Sequence, residues 1–456
     1  MSKPKIFNNW ISSLVIVAVI GIGALGIYQV GIAPGLPAED YAPVGGEDKP
    51  FEFETVDSSS CIACHTNEAV IAASTVGQDE PAAEDTGGWG APGPQLEAVQ
   101  MFLVSQEFVD STHGGLGCIA CHGGENAPDQ ATAHAEMESY PSRDFEANCG
   151  ACHANVTGDY ASSIHYNLHG MANGLAEFAD VSSLPDSPHH EEVFDNDCYK
   201  CHATCGDCHV SRAKNFSEGL VDQHNFLGTP SMEENCYACH NARNAGEYMG
   251  LVGFGGDVHY EKGMTCMDCH PKSNFHGDAS AEVTANMWEE DLPSCLDCHE
   301  DKDPEVATDV QHKVHGDSLS CQVCHAQANN NCFECHLDEK ADGSGLASSS
   351  EKKIMFRVGY NPIVSEERPY KYVTLRHVPG QENMLEVVGD DLMPKYNTKT
   401  NWKYSPTHNI QKSTFQNESC ESCHENTKIW LSEKDFRETD STLNETLIPD
   451  LPPALQ

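Results

Sequence analysis

The sequence predicts a mostly α-helical protein with much irregular structure, one N-terminal transmembrane helix and a small β-containing module near the C-terminus. Three observations lead there. The unit Cys-x-x-Cys-His recurs eleven times, too closely spaced for long regular elements. No charge occurs from Ile6 to Ala38. Beyond residue 350 several segments turn apolar, aromatic and β-branched, the composition of strands.

Residues 1–9 carry Lys3 and Lys5, and Glu39 and Asp40 follow the apolar run. This asymmetry puts the N-terminus in the cytoplasm. Residues 10–31 are long enough to cross a bilayer as a helix. The alternative is a cleaved signal peptide, but its apolar stretch is usually only about 7–15 residues, and Pro34 and Leu36 spoil the small-x-small cleavage sites. No cysteine precedes Cys61 to carry a lipid. Residues 32–58, rich in Pro, Gly and acid, read as a tether, and 76–95 as a loop.

The eleven units account for all 22 cysteines. In chain order the pairs are Cys61 with Cys64, Cys118 with Cys121, Cys149 with Cys152, Cys198 with Cys201, Cys205 with Cys208 and Cys236 with Cys239. Then come Cys266 with Cys269, Cys295 with Cys298, Cys321 with Cys324, Cys332 with Cys335 and Cys420 with Cys423. A disulfide framework needs no histidine after each pair, and it suits short secreted domains better than 456 residues. Structural zinc leaves the residue after Cys-x-x-Cys free to vary. Here it is His every time, although His makes up only 24 of 456 residues. That pattern is the signature of covalent c-type haem attachment, in which the two thiols bond the porphyrin and the adjacent His ligates iron. The proximal ligands are then His65, His122, His153, His202, His209, His240, His270, His299, His325, His336 and His424. Eleven c-type haems are the expected cofactors, and no flavin, nicotinamide or zinc is expected.

Thirteen histidines remain as candidates for the second axial position: His113, His134, His165, His169, His189, His190, His224, His259, His276, His312, His315, His377 and His408. Supply exceeds demand, so every iron could be bis-histidine. His113, His259 and His315 each stand five to seven residues before a motif, within reach of a neighbouring haem. His189 and His190 are adjacent, so only one of them is expected to ligate. His165 and His169, at i and i+4, share a helix face.

Cys201 and Cys205 are four residues apart and so at most ~14 Å apart. Their haems must be near neighbours. From Cys61 to His336, ten motifs occupy 276 residues. A fold organised around stacked haems follows, with porphyrins in place of a side-chain core over residues 59–340. Segments 144–153 and 232–240 each set a motif on a short helix opened by acidic residues.

Residues 341–350 (ADGSGLASSS) read as a linker, 351–424 as a β-containing module with the eleventh haem, and 425–456 as a tail. Expected strands are 353–358, 370–378 and 384–388, with His377 or His408 as the eleventh haem's distal ligand. Residues 1–350 carry a net charge of −41, and 351–456 carry −3. An acidic surface steers basic partners and repels nucleic acid, and it favours ferric iron.

On these eleven motifs the chain resembles the multihaem c-type cytochromes of anaerobic respiration. That superfamily spans electron-transfer chains and enzymes of the octahaem tetrathionate reductase and hydroxylamine oxidoreductase class. The resemblance implies an extracytoplasmic haem region, periplasmic or outside the cell, on a single-pass cytoplasmic-membrane protein. The expected function is electron transfer between a membrane quinol-oxidising complex and periplasmic or extracellular cytochromes and acceptors. The alternatives are a multihaem reductase or oxidase with one open haem, acting on nitrite, hydroxylamine, sulfite or tetrathionate, and a quinol dehydrogenase.

Overall fold

The computed structural model describes residues 55–74, 96–167, 176–179, 203–278, 293–339 and 346–453, save isolated positions within them; for much of 332–352 it describes the backbone alone. The expected anchor at 10–31, His169, His189, His190 and the motif Cys198–His202 lie outside the described residues. Among those residues no helix is long and apolar enough to cross a membrane.

Short helices and irregular segments dominate up to residue 325. Motifs lie on α1 (Ser59–His65), α2 (Cys118–His122), the start of α3 (Gly150–Tyr160), α5 (Cys205–His209), α6 (Tyr237–His240), α9 (Cys321–His325) and α10 (Glu421–His424). Histidines outside the motifs lie on α4 (Ile164–Asn167), α7 (Ser273–His276) and α8 (Val310–His315). At Cys266 and Cys295 the motif is reduced to a single 3-10 turn.

Such short helices need local reasons to form, because isolated turns are marginal. Three motifs supply their own. In Thr-Cys-Gly-Asp, Thr-Cys-Met-Asp and Ser-Cys-Leu-Asp, the aspartate inside the motif accepts the backbone N–H of the residue before the first cysteine. Those residues are Thr204, Thr265 and Ser294, at 2.8, 2.6 and 2.8 Å. Each is a capping box compressed into one turn. The expected acidic openings also appear. Asp144 caps the turn before α3, accepting Ala147 N–H at 3.2 Å, and Glu233 and Glu234 open the turn leading to Cys236.

The chain between His113 and Cys118 passes through Gly117 at φ +86°, where a Cβ would stand 2.1 Å from the Val56 carbonyl oxygen. Only glycine fits there without displacing backbone.

The C-terminal part holds two small sheets. β1 (Asn330–Glu339) and β2 (Leu346–Ile354) form an antiparallel pair, and β3 (Arg357–Tyr360), β4 (Tyr372–His377) and β5 (Trp402–Tyr404) form a sheet in that order. The tenth motif, Cys332–His336, therefore lies on a strand. Its pairing with β2 slips between Phe333 and Cys335, inside the motif itself. The second half of the segment read as a linker, 346–350, belongs to β2. The strand expected at 384–388 is corrected: residues 385–387 are a turn, with Gly389 N–H bonding back to the Leu385 carbonyl, and β5 takes the third place. Apolar composition marked that segment, but no neighbouring strand offers it a hydrogen-bonding edge.

The side-chain core sits in this C-terminal part. Val373, Leu375, Trp402, Tyr404, Leu431 and Leu447 form one buried cluster, and Val323, Val358, Ile429 and Trp430 a second. Among the described residues between α1 and α8, Ala213, Phe216 and Ala238 form a small buried apolar cluster. None of α1, α2, α5 and α10 buries a single residue.

Candidate cofactor sites

Nine motif histidines have described side chains, and eight of them face a histidine from outside the motifs. The pairs are His65 with His134, His153 with His113, His122 with His224 and His240 with His165. The other four are His209 with His276, His299 with His259, His325 with His312 and His424 with His315. Among the described residues each of these pairs joins one motif histidine to one from outside the motifs.

What marks these pairs is the uniformity of the distance. Ring centres are 6.0 to 6.3 Å apart in all eight, while the interplanar angle runs from 11° to 67°. Contacts of histidine rings with Phe or Trp scatter more widely, from 4.1 Å for His113 with Phe226 and 4.3 Å for His224 with Phe108 to 6.4 Å for His270 with Phe275. A fixed separation with a free angle is what two imidazoles show on opposite sides of one atom, since rotation about the common axis leaves the distance unchanged. Metal–imidazole bonds of about 2.0–2.1 Å, plus about 1.1 Å from each nitrogen to its ring centre, give about 6.2–6.4 Å.

The imidazoles are held by the nitrogen that points away from the gap. Nδ1 of His65, His122, His209, His325 and His424 meets the carbonyl oxygens of Phe102, Glu138, Leu227, Gln411 and Pro453 at 2.6 to 3.1 Å. His315 Nδ1 meets the Gln311 carbonyl at 3.1 Å. In two cases the acceptor is a carboxylate: Asp257 for His259 at 2.8 Å and Asp309 for His312 at 2.5 Å. A proton on Nδ1 leaves the Nε2 lone pair free to bind metal. Burial works the same way. It holds His165, His224 and His276 down at about 4, with the facing histidines adding to the effect, so each stays neutral at pH 7.

His408 is also buried, which with nearby Arg243 and His270 lowers it to about 3. His270 is the ninth described motif histidine. His377, by contrast, is fully buried beside Trp402 with Nε2 2.9 Å from Asp440 Oδ1, so its ligating nitrogen is already engaged. His424 thus faces His315, and neither His377 nor His408 takes that place.

The thiols connect the sites. All eighteen cysteines with described side chains are free. The first cysteines of neighbouring motifs lie within hydrogen-bonding reach of one another in four pairs: Cys61 with Cys118, Cys149 with Cys205, Cys236 with Cys266 and Cys295 with Cys321. Between those pairs the second cysteine of one motif neighbours the next: Cys121 beside Cys149, Cys208 beside Cys236, Cys269 beside Cys295 and Cys324 beside Cys423. The two kinds of neighbour alternate, and nine motifs fall into one unbranched sequence from Cys61 to Cys420.

The remaining second cysteines take different places. Cys152 stands near Cys121, and Cys298 near Cys269, so each joins a contact between two motifs. Cys64 and Cys298 are exposed, while Cys152 and Cys239 are half-buried. Cys239 packs against the cluster of Ala213, Phe216 and Ala238. Cys332 and Cys335 lie on β1 where the backbone alone is described, and Cys198 and Cys201 lie outside the described residues.

These residues fit c-type haem. Two thiols and a histidine on one turn suit covalent attachment, and an opposite imidazole completes an axial pair. Among the described residues no three His, Cys, Asp or Glu side chains converge to hold a bare metal ion, whereas structural zinc needs four. Among the apolar side chains near these histidines in sequence, Val310 and Val314 of α8 are 67% and 66% exposed, and Ile164, next to His165, is 43% exposed.

Sequence reasoning missed the aromatic clamps on His113 and His224, and the Nδ1 acceptors. Only Asp257 and Asp309 had a readable signal, Asp two or three residues before a histidine. Comparison of the chain with protein-family models, curated proteins and solved structures returns no match.

Proposed function

We propose that the chain is an electron-transfer protein holding a c-type haem on each Cys-x-x-Cys-His motif. On this reading a membrane anchor at 10–31 tethers the haem region outside the cytoplasm, where it takes electrons from a quinol-oxidising partner and passes them to outer acceptors. The observation that carries it is the one-to-one facing of motif and non-motif histidines at 6.0 to 6.3 Å.

Bound at these places, each haem supplies an iron that takes up and returns one electron. The chain's residues do the rest. The cysteines fix each porphyrin to the backbone, and the paired imidazoles fill both axial positions. The Nδ1 hydrogen bonds orient the rings. For His270 the proposed partner is His408, and His169, His189 and His190 remain for His202 and His336. His377 is left without an iron. An enzyme of the superfamily would keep one axial position open for substrate, and eight of the nine described motif histidines have theirs matched. Neighbouring thiols that link the motifs into one sequence suit stepwise transfer between adjacent centres.

The test is the mass and spin state of the purified protein. The expected mass carries eleven haems, and the oxidised protein shows low-spin ferric resonances alone. A high-spin resonance of one iron, with turnover of nitrite, hydroxylamine, sulfite or tetrathionate, would move the assignment to a reductase. A mass without haem would end it.

A further inference from the structure

The two carboxylate-bonded imidazoles distinguish two sites from the rest. Where other paired imidazoles have an Nδ1 partner among the described residues, it is a neutral backbone carbonyl. His259 and His312 instead donate to Asp257 and Asp309. Both aspartates are locked in place by further donors. One oxygen of Asp257 accepts the His259 backbone N–H at 2.7 Å as well as Nδ1, and the other accepts Ile410 N–H at 2.5 Å. Its side chain is only 2% exposed. Asp309 caps α8 and accepts His312 N–H at 3.1 Å. It is 35% exposed and has Lys302 Nζ at 3.5 Å.

We propose that Asp257 and Asp309 are positioning residues that make the site of His299 with His259 and the site of His325 with His312 the low-potential segment of the electron path. This rests on the haem reading above. A carboxylate that accepts the Nδ1 proton gives the imidazole imidazolate character and raises its basicity, which favours the ferric over the ferrous ion. One electron enters as each iron goes from ferric to ferrous, and the fixed negative charge opposes it. The effect falls on one stretch of the path, because the motifs of His299 and His325 begin with Cys295 and Cys321, whose thiols are neighbours. Electrons added to the oxidised protein therefore fill this adjoining pair last. The pair stands between the site at Cys266 and the site at Cys420, as a raised step before the C-terminal end. Asp257 dominates, since Asp309 is more exposed and partly neutralised by Lys302.

The experiment is a reductive titration of the full-length holoprotein by visible spectroscopy and electron paramagnetic resonance. It compares wild type with Asp257→Asn, Asp309→Asn and the control Glu438→Gln. Asparagine keeps one oxygen for Nδ1–H and removes the charge, giving up at position 257 the oxygen that accepts Ile410 N–H. Glu438 is exposed and fourteen residues from the nearest motif histidine in sequence, His424, so its replacement makes the same charge change at a site that holds no ligand. In Asp257→Asn the most resistant iron should shift about tenfold toward ferrous at a given potential, about 59 mV for a one-electron couple. The shift in Asp309→Asn should be smaller. Glu438→Gln should leave the curve in place, and all variants should stay fully low-spin. An unchanged curve in Asp257→Asn, with low-spin resonances intact, overturns this inference and leaves the haem reading standing. A wild type without those resonances overturns the haem reading itself.

Discussion

His315 and His377 looked equivalent as candidate ligands, and their surroundings now predict opposite behaviour. His315 stands 6.2 Å, ring centre to ring centre, from His424. Replacing it with alanine leaves one iron of eleven with a single protein ligand, so about one eleventh of the ferric signal should become high-spin. Added imidazole, which restores the missing ligand, should return it to low spin. His377→Gln should produce no high-spin iron, because His377 Nε2 faces Asp440. The cost there is stability. His377 is 0% and Asp440 1% exposed, and His377→Ala would strand a buried carboxylate, at about 3–5 kcal/mol. The assay is spin quantification by electron paramagnetic resonance alongside denaturant unfolding. High-spin iron in His377→Gln, or none in His315→Ala, would refute the reasoning from ring separation.

Glu247 is fully buried and accepts the backbone N–H groups of Asn330 at 2.8 Å and His408 at 3.2 Å. At about 1.5–3 kcal/mol for each bond to a charged group, Glu247→Ala should cost about 3–6 kcal/mol, read as a lower guanidinium midpoint. Gly117→Ala should cost about 1–3 kcal/mol through its positive φ, plus the clash with Val56, and thermal unfolding would show it as a lowered Tm. Produced without haem attachment, the chain should be cut rapidly by protease across 59–325, where buried apolar clusters are smallest. Uniform resistance along the chain would count against cofactors as the filling.

The motifs were legible in the sequence because their pattern is local: two thiols and a histidine stand within five residues along the chain. The short acid-opened helices were legible for the same reason, since capping acts over three residues, as Asp144 and Ala147 show. The strand at 372–377 announced itself by β-branched and aromatic alternation. Residues 384–388 carried a similar composition and form a turn instead, because pairing depends on a partner edge that composition does not report. Which imidazole meets which motif was hidden for a related reason. His113, four residues before Gly117, faces His153 rather than the histidine of the motif that follows it, and Phe226, which stacks on its ring, comes from more than 100 residues away.

That non-locality has an energetic consequence. His65 and His134 stand 69 residues apart, His122 and His224 are 102 apart, and His315 and His424 are 109 apart. On the proposed ligation each iron cross-links segments as a disulfide would. Closing a loop of about 15–100 residues lowers the entropy of the unfolded chain by the equivalent of about 3–5 kcal/mol in the chain-entropy account. Several such links, with overlapping loops, act on the region where buried apolar side chains are more thinly spread among the described residues. Loops that interlock also cannot be removed one at a time without loosening their neighbours. His312 and His315 make the point on a single helix, since α8 presents one toward His325 and the other toward His424. On the proposed ligation α8 would join two centres, so losing one end of that helix should disturb both together. The same histidines that complete the electron path would then also be the ties that replace a side-chain core.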